Sequence, residues 1–115
     1  SNMSTEYTQL EIEFGFEKFV EKVNDLVIAY YEKNYPNLER YPVIVNPGRK
    51  YWKLVTEGRV YGFVRKNDGA ILKAANWSAP YVKGNNYVRG YVTDSDFGVH
   101  AATPYGIKYQ TGAGV

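Results

Sequence analysis

With 115 residues, 44% of them hydrophobic and 23% charged, the chain is sized for one soluble domain with a modest core. It has no cysteine, which excludes disulfides, thiolate metal sites and cysteine nucleophiles and suits a reducing, cytoplasmic setting. The longest apolar run, Leu26 to Tyr31, is too short to cross a bilayer, so no membrane partner is expected. The net charge of +2 conceals a polarity: residues 1–39 carry eight acids and three bases, residues 40–90 ten bases and two acids. Such a separation draws anions toward one side of a molecule, unless the two halves pack together and neutralise each other.

In chain order, Ser1-Asn2 ahead of Met3 reads as the remnant of a cleaved tag, and residues 1–9 are polar and expected to fray. Leu10, Ile12 and Phe14 alternate with acids, which suits a short extended piece. Thr8 followed by Glu11 suits the capped start of a helix instead, and Gly15 interrupts both readings. From 16 to 34 the pattern is helical, with Phe16, Phe19, Val20, Val23, Leu26, Val27 and Tyr30 on one stripe. Pro36 stops that helix, because it lacks an amide hydrogen and biases its predecessor away from helical geometry.

The stretch 41–77 is the expected core of the sheet. Tyr41–Val45 forms a first strand, and Arg49–Trp77 reads as three short strands joined at Thr56-Glu57-Gly58 and Asn67-Asp68-Gly69. A three-residue hairpin loop ends in a left-handed residue, a conformation open to glycine. Two such loops pair Leu54 with Val60, Trp52 with Gly62 and Val64 with Leu72. Trp52, Leu54, Val60, Gly62, Val64, Leu72 and Ala74 then form an apolar face for the helix, with Gly62 permitting its close approach. Tyr51, Lys53, Tyr61, Phe63, Arg65 and Lys73 form the opposite face, aromatic and cationic together. Residues 78–115 are loop-rich, with weak strands at Tyr87–Val92 and Ile107–Tyr109, a turn at Asp94–Gly98 and a flexible tail at Thr111–Gly114. The fold class is α+β: one N-terminal amphipathic helix packed on an antiparallel β-meander of four to five strands, in a single domain.

Stacking aromatics interleaved with cations are what single-stranded nucleic acid requires, one to meet bases and the other phosphates. Arg59-Val60-Tyr61-Gly62-Phe63-Val64 is close to the octapeptide of the RNA-recognition motif. It departs from that motif at Val60, where the motif has glycine, and at Lys66, where it has an aromatic; no second helix follows. The binding candidates are therefore Tyr51, Lys53, Tyr61, Phe63, Arg65 and Lys73, with Trp77 and Arg89 as further members. Asp94-Ser95-Asp96 is the composition of an ordinary turn, and His100, the single histidine, has no nucleophile signature around it. There is no Walker loop and no dinucleotide fingerprint. No catalytic residue, metal site or cofactor is expected, and a binding module is favoured over an enzyme.

Several strings give the chain a resemblance: Gly48-Arg49-Lys50-Tyr51, Val60-Tyr61-Gly62-Phe63-Val64 and Asp68-Gly69-Ala70-Ile71-Leu72-Lys73-Ala74-Ala75-Asn76-Trp77. Pro80, Arg89-Gly90, Phe97-Gly98 and Tyr105-Gly106 continue the pattern. Through these residues the run from Gly48 to Tyr109 resembles a widespread group of small uncharacterised proteins of tailed bacteriophages. The resemblance implies a phage origin and a host-cytoplasmic setting. It leaves three expectations open: a phage accessory protein binding nucleic acid, a counter-defence protein that sequesters a host signalling nucleotide or blocks a host protein, and a virion or assembly component. A phage enzyme with Asp94, Asp96 and His100 as its only candidate site is a fourth and weaker one.

Overall fold

The structure, a computed structural model, describes residues 6–109. Of the expected fraying over residues 1–9, the part before Glu6 lies outside the described residues, as does the expected flexible tail at Thr111–Gly114. At the end of that N-terminal span Thr8 and Gln9 are instead the cap and first residue of a helix. Helix α1 spans Gln9–Asn34 and begins a full two turns before the apolar stripe predicts. Its start is a capping box: the Thr8 hydroxyl accepts from the Glu11 amide (3.1 Å), and the Thr8 amide donates to the Glu11 carboxylate (2.8 Å). The extended alternative for residues 10–14 is thereby corrected. Two orphan amides find partners only in the helical conformation, and Ile12 is buried at 2% exposure. The helix closes at Tyr35, before Pro36, where the Tyr35 amide donates to the Tyr31 carbonyl.

Five antiparallel strands follow in a meander, β1 Ile44–Pro47, β2 Tyr51–Thr56, β3 Arg59–Arg65, β4 Ala70–Leu72 and β5 Val88–Tyr91, adjacent in that order. A helix on one face of this sheet makes the fold α+β. A short 3-10 turn, Val99–Ala101, and a small hairpin of β6 Ala102–Thr103 and β7 Gly106–Ile107 are the last elements among the described residues.

The register differs from expectation in an instructive way. The β2–β3 loop has two residues, Glu57 (φ 53°) and Gly58 (φ 75°), both left-handed as a type I′ turn requires. Thr56 faces Arg59 and Val55 faces Val60, but Leu54 then faces Gly62, so Tyr61 is the extra residue of a β-bulge. Beyond the bulge Trp52 faces Val64, Lys53 faces Phe63 and Tyr51 faces Arg65. The expected pairs Leu54–Val60 and Trp52–Gly62 are therefore wrong, whereas the division of even from odd positions in β2 survives. A two-residue turn alone would have exchanged the faces; the inserted residue exchanges them back.

No such compensation occurs at the next turn. Val64 faces Ile71 and Phe63 faces Leu72, so Leu72 lies on the outer face and Ile71 takes its expected place under the helix. The loop is longer than three residues because the Gly69 amide bonds the Arg65 carbonyl (2.8 Å) and Asp68 ties the Arg65 side chain to the Ala70 amide.

The core lies between α1 and the inner face. Phe16, Phe19, Val23 and Val27 meet Leu54, Val64 and Ile71, and Phe16 stacks on Trp52 at 4.1 Å between centroids. Asn24, a polar residue of α1, also sits at this interface. Its amide oxygen accepts from the Val43 amide (2.8 Å) and its nitrogen donates to the Val43 carbonyl (3.2 Å), satisfying both backbone groups just ahead of β1. Gly62 admits Ile107 of β7 rather than the helix, since a Cβ there would lie 2.4 Å from Ile107 Cγ1. The glycine that lets the helix approach is Gly15, where a Cβ would lie 2.3 Å from the Val92 carbonyl oxygen.

That contact sets a sign. In an exposed helix Gly→Ala stabilises by about 1 kcal/mol, but at Gly15 the methyl must displace backbone, at a cost of roughly 1–3 kcal/mol or more. Gly15→Ala is expected to lower the thermal midpoint; a rise in calorimetry would mean that α1 does not rest on the end of β5.

Candidate nucleic-acid interface

The outer face of the sheet is where the aromatic and cationic candidates were expected to meet. The row Lys53–Phe63–Leu72 runs across β2, β3 and β4 on this face. Leu72 leads into a loop, residues 73–81, folded back on itself by the Tyr81 amide to the Lys73 carbonyl (2.7 Å) and by the Ala74–Pro80 bridge. Near its tip, Asn76 accepts from the Ser78 and Ala79 amides through one side-chain oxygen, an Asx turn that presents Trp77. Trp77 meets Lys53, whose Nζ lies 3.6 Å from a ring centroid of the indole. Since Lys53 is on β2 and the loop leaves β4, the loop spans the outer face above Phe63. Phe63 is accordingly 3% exposed and Leu72 fully buried, although neither touches the helical core.

The eight candidate residues thus separate. Tyr61 leaves the outer face altogether: as the bulge residue it turns into the core at 2% exposure, and its hydroxyl donates to the Thr103 carbonyl (2.5 Å). Burial pushes that hydroxyl well above the usual tyrosine range, so it stays a neutral donor. Phe63 remains on the expected face but is roofed. Arg65 is held by Asp68 through two hydrogen bonds (3.0 and 2.9 Å), and that carboxylate raises its pKa. Lys73 donates to the Ile107 carbonyl (3.3 Å) and lies 4.2 Å from the Tyr109 ring centroid. Burial, then the nearby Arg89, lowers its pKa. Arg89 is spent on the carbonyls of Asn86, Tyr87 and Lys108.

What stays together at the surface is Tyr51, Lys53 and Trp77. Trp77 is 52% exposed, and Tyr51 is half-buried in a T-shaped contact with Phe63 (5.9 Å between centroids). The exposed Arg49 and Lys50 immediately precede Tyr51 in the β1–β2 turn. Sequence reasoning could not see how many of the candidate cations would be consumed by carbonyls and by Asp68. It could not see the roof either, since no periodicity marks a loop that folds over a sheet.

Elsewhere, Asp94, Asp96 and His100 bring one ligand atom each within 4.8 Å of one another. Their carboxylates already serve the backbone. Asp94 accepts from the Tyr91 amide, and Asp96 accepts from the Gly98 and His100 amides while holding His100 Nδ1 at 2.9 Å. Burial pushes Asp96 up, but His100 and these amides outweigh it and leave the carboxyl below its usual range.

Asp68 gives a pH-dependent test of the outer-face geometry. Burial raises its pKa, yet Arg65 and the Ala70 amide outweigh that and the net shift is downward. A carboxyl depressed in the folded state contributes stability above its unfolded pKa, and that contribution is lost as pH falls through the folded value. Because Asp68 is 40% exposed, the pair is screened and worth about 0.5–1 kcal/mol at neutral pH. Asp68→Asn should lower stability by about that much at pH 7, and the difference should shrink at an acidic pH where the carboxyl is protonated in the folded state too. Urea midpoints at both pH values would measure it; an equal loss at both would mean that Asp68 acts through the turn alone.

One family model matches residues 3–96, described as a family of unknown function (DUF7717). No curated protein and no solved structure matches the chain. Among the described residues no helix is long and apolar enough to cross a membrane.

Proposed function

We propose, for a chain that belongs to this family of unknown function (DUF7717), that it is a binding module for single-stranded nucleic acid, with Trp77 as its stacking platform. The observation that supports this most directly is the Lys53–Trp77 pair. An indole half open to solvent carries a cation 3.6 Å from its ring centroid, at the end of a strand that also presents Tyr51. A base stacks on the open side of the indole, and Arg49 and Lys50 meet the phosphates. Tyr61, Phe63, Arg65, Lys73 and Arg89 support this surface from beneath or beside it and do not contact the ligand. The resemblance to tailed-phage proteins makes the host cytoplasm the setting we propose. An extended strand is favoured over a small signalling nucleotide for a physical reason. The cleft of about 660 Å³ in this chain carries Glu6 and Asp94, which repel phosphate, beside an Asp68 whose charge Arg65 already neutralises.

Stacking and charge are separable in fluorescence anisotropy with a short labelled oligonucleotide across a salt series. Trp77→Ala should weaken binding by about 1–3 kcal/mol with the salt slope unchanged. Lys50→Ala should weaken binding to every sequence and reduce the slope by roughly one unit. Tyr61→Phe should leave affinity alone and lower stability by about 1 kcal/mol, the worth of the lost Thr103 hydrogen bond. Wild-type protein that binds no oligonucleotide at low salt sinks the reading, as does a Trp77→Ala variant of undiminished affinity.

A further inference from the structure

Two adjoining clefts of about 660 and 340 Å³ lie where α1 begins, and they share Tyr7, Thr93 and Asp94. They form one groove with unlike ends. One end is apolar, with Leu10, Phe14 and Phe97 in its walls; the other carries Glu6, Asp94 and Tyr91. Leu10 and Phe14, one helical turn apart, are 77% and 53% exposed, so the helix spends two large apolar side chains outside its own core. Phe97 holds φ 58°, a left-handed conformation costly for a bulky residue, and its ring meets Phe14 edge-on at 5.9 Å.

The charge of the groove selects its occupant. Asp68 is neutralised by Arg65, but among the described residues neither Glu6 nor Glu11 forms an ion pair, and Asp94 has only His100 at 3.8 Å. At the helix N-terminus the capping box engages the Thr8 and Glu11 amides, and the Glu11 carboxylate held there disfavours an anion. A second copy docked two-fold on this groove would set carboxylates against carboxylates.

We infer that the groove takes a basic segment of a partner protein. One aliphatic or aromatic anchor of that segment lies against Leu10, Phe14 and Phe97, and its Lys or Arg side chains lie against Glu6 and Asp94. Apolar anchors fix such a segment and rim charges steer it. This site is independent of the proposed nucleic-acid surface. It lies along α1, which packs on the inner face of the sheet, whereas Lys53 and Trp77 are on the outer one.

The probe is a fluorescein-labelled peptide of about twelve residues alternating Lys and Leu, read by anisotropy, with Lys/Ser and Glu/Leu peptides of equal length as comparators. The Lys/Leu peptide should bind, and both comparators should bind at least about tenfold more weakly. Phe14→Ala and Asp94→Asn should each weaken the Lys/Leu complex by about fivefold or more. The asparagine keeps an oxygen for the Tyr91 amide, and Leu10→Ala stands in if Phe14→Ala proves unfolded by its thermal transition. Trp77→Ala should leave peptide affinity unchanged, which separates failure here from failure of the nucleic-acid reading. Equal binding of the Lys/Ser peptide would reduce the groove to a general acidic face and overturn the inference. So would the absence of binding, indifference to every groove substitution, or self-association of the chain abolished by Phe14→Ala.

Discussion

The bulge at Tyr61 is the constraint on which the arrangement of this protein depends. A type I′ turn shifts the β2–β3 register by one residue from that of a three-residue loop, and such a shift would send Trp52 outward and Lys53 into the core. The single unpaired residue shifts the register by one more, which restores the faces, so that Trp52 stacks on Phe16 and Lys53 stays outside. It also re-aims the side chain it carries. Tyr61 becomes a core residue whose hydroxyl ties down the β6–β7 hairpin, and the neighbouring Gly62 gives Ile107 room to pack. The string Val60-Tyr61-Gly62-Phe63-Val64, which resembles a nucleic-acid-binding octapeptide, therefore has a complete structural explanation in its own sheet.

The helix is seated by polar and steric means as much as by hydrophobic burial. Gly15 brings it against the Val92 carbonyl at one end, and Asn24 supplies both partners for the Val43 backbone near its middle. Beyond the helical core, Tyr30, Tyr31, Tyr35 and Tyr105 gather at the far end of α1 as a cluster of edge-on and tilted rings. Six of the chain's twelve tyrosines thus serve as a surface cluster, a buried anchor at Tyr61 and part of the outer face at Tyr51, three uses that composition cannot separate.

The separation of charge along the chain becomes a separation in space. The acidic segment forms α1 and one wall of the groove at its start. The basic segment forms the sheet and its turns, where Arg49 and Lys50 remain exposed. The two proposed surfaces have opposite preferences: the outer face takes its cations from the basic segment, whereas the groove takes Glu6 from the acidic segment and Asp94 from the turn after β5.

The amino-acid sequence by itself determined the helix stripe, the stop at Pro36, the meander of short strands and the inward direction of Trp52, Leu54 and Val64. These follow from local periodicity and turn chemistry, which act over a few residues. The capping box was legible in Thr8 and Glu11, and the extended reading failed because satisfying helix-end amides outweighs a brief alternation. Only the tertiary structure decided the bulge at Tyr61, the exchange of Leu72 for Ile71 and the roofing of Phe63. It alone decided also that Arg65, Lys73 and Arg89 would be consumed internally. Each of these depends on a partner distant in sequence: Thr103 for Tyr61, Trp77 at Lys53 for the roof, Ile107 for Lys73 and Lys108 for Arg89. A pattern of residue types records which groups need partners; which partner arrives is set by packing between segments that are not neighbours in the chain.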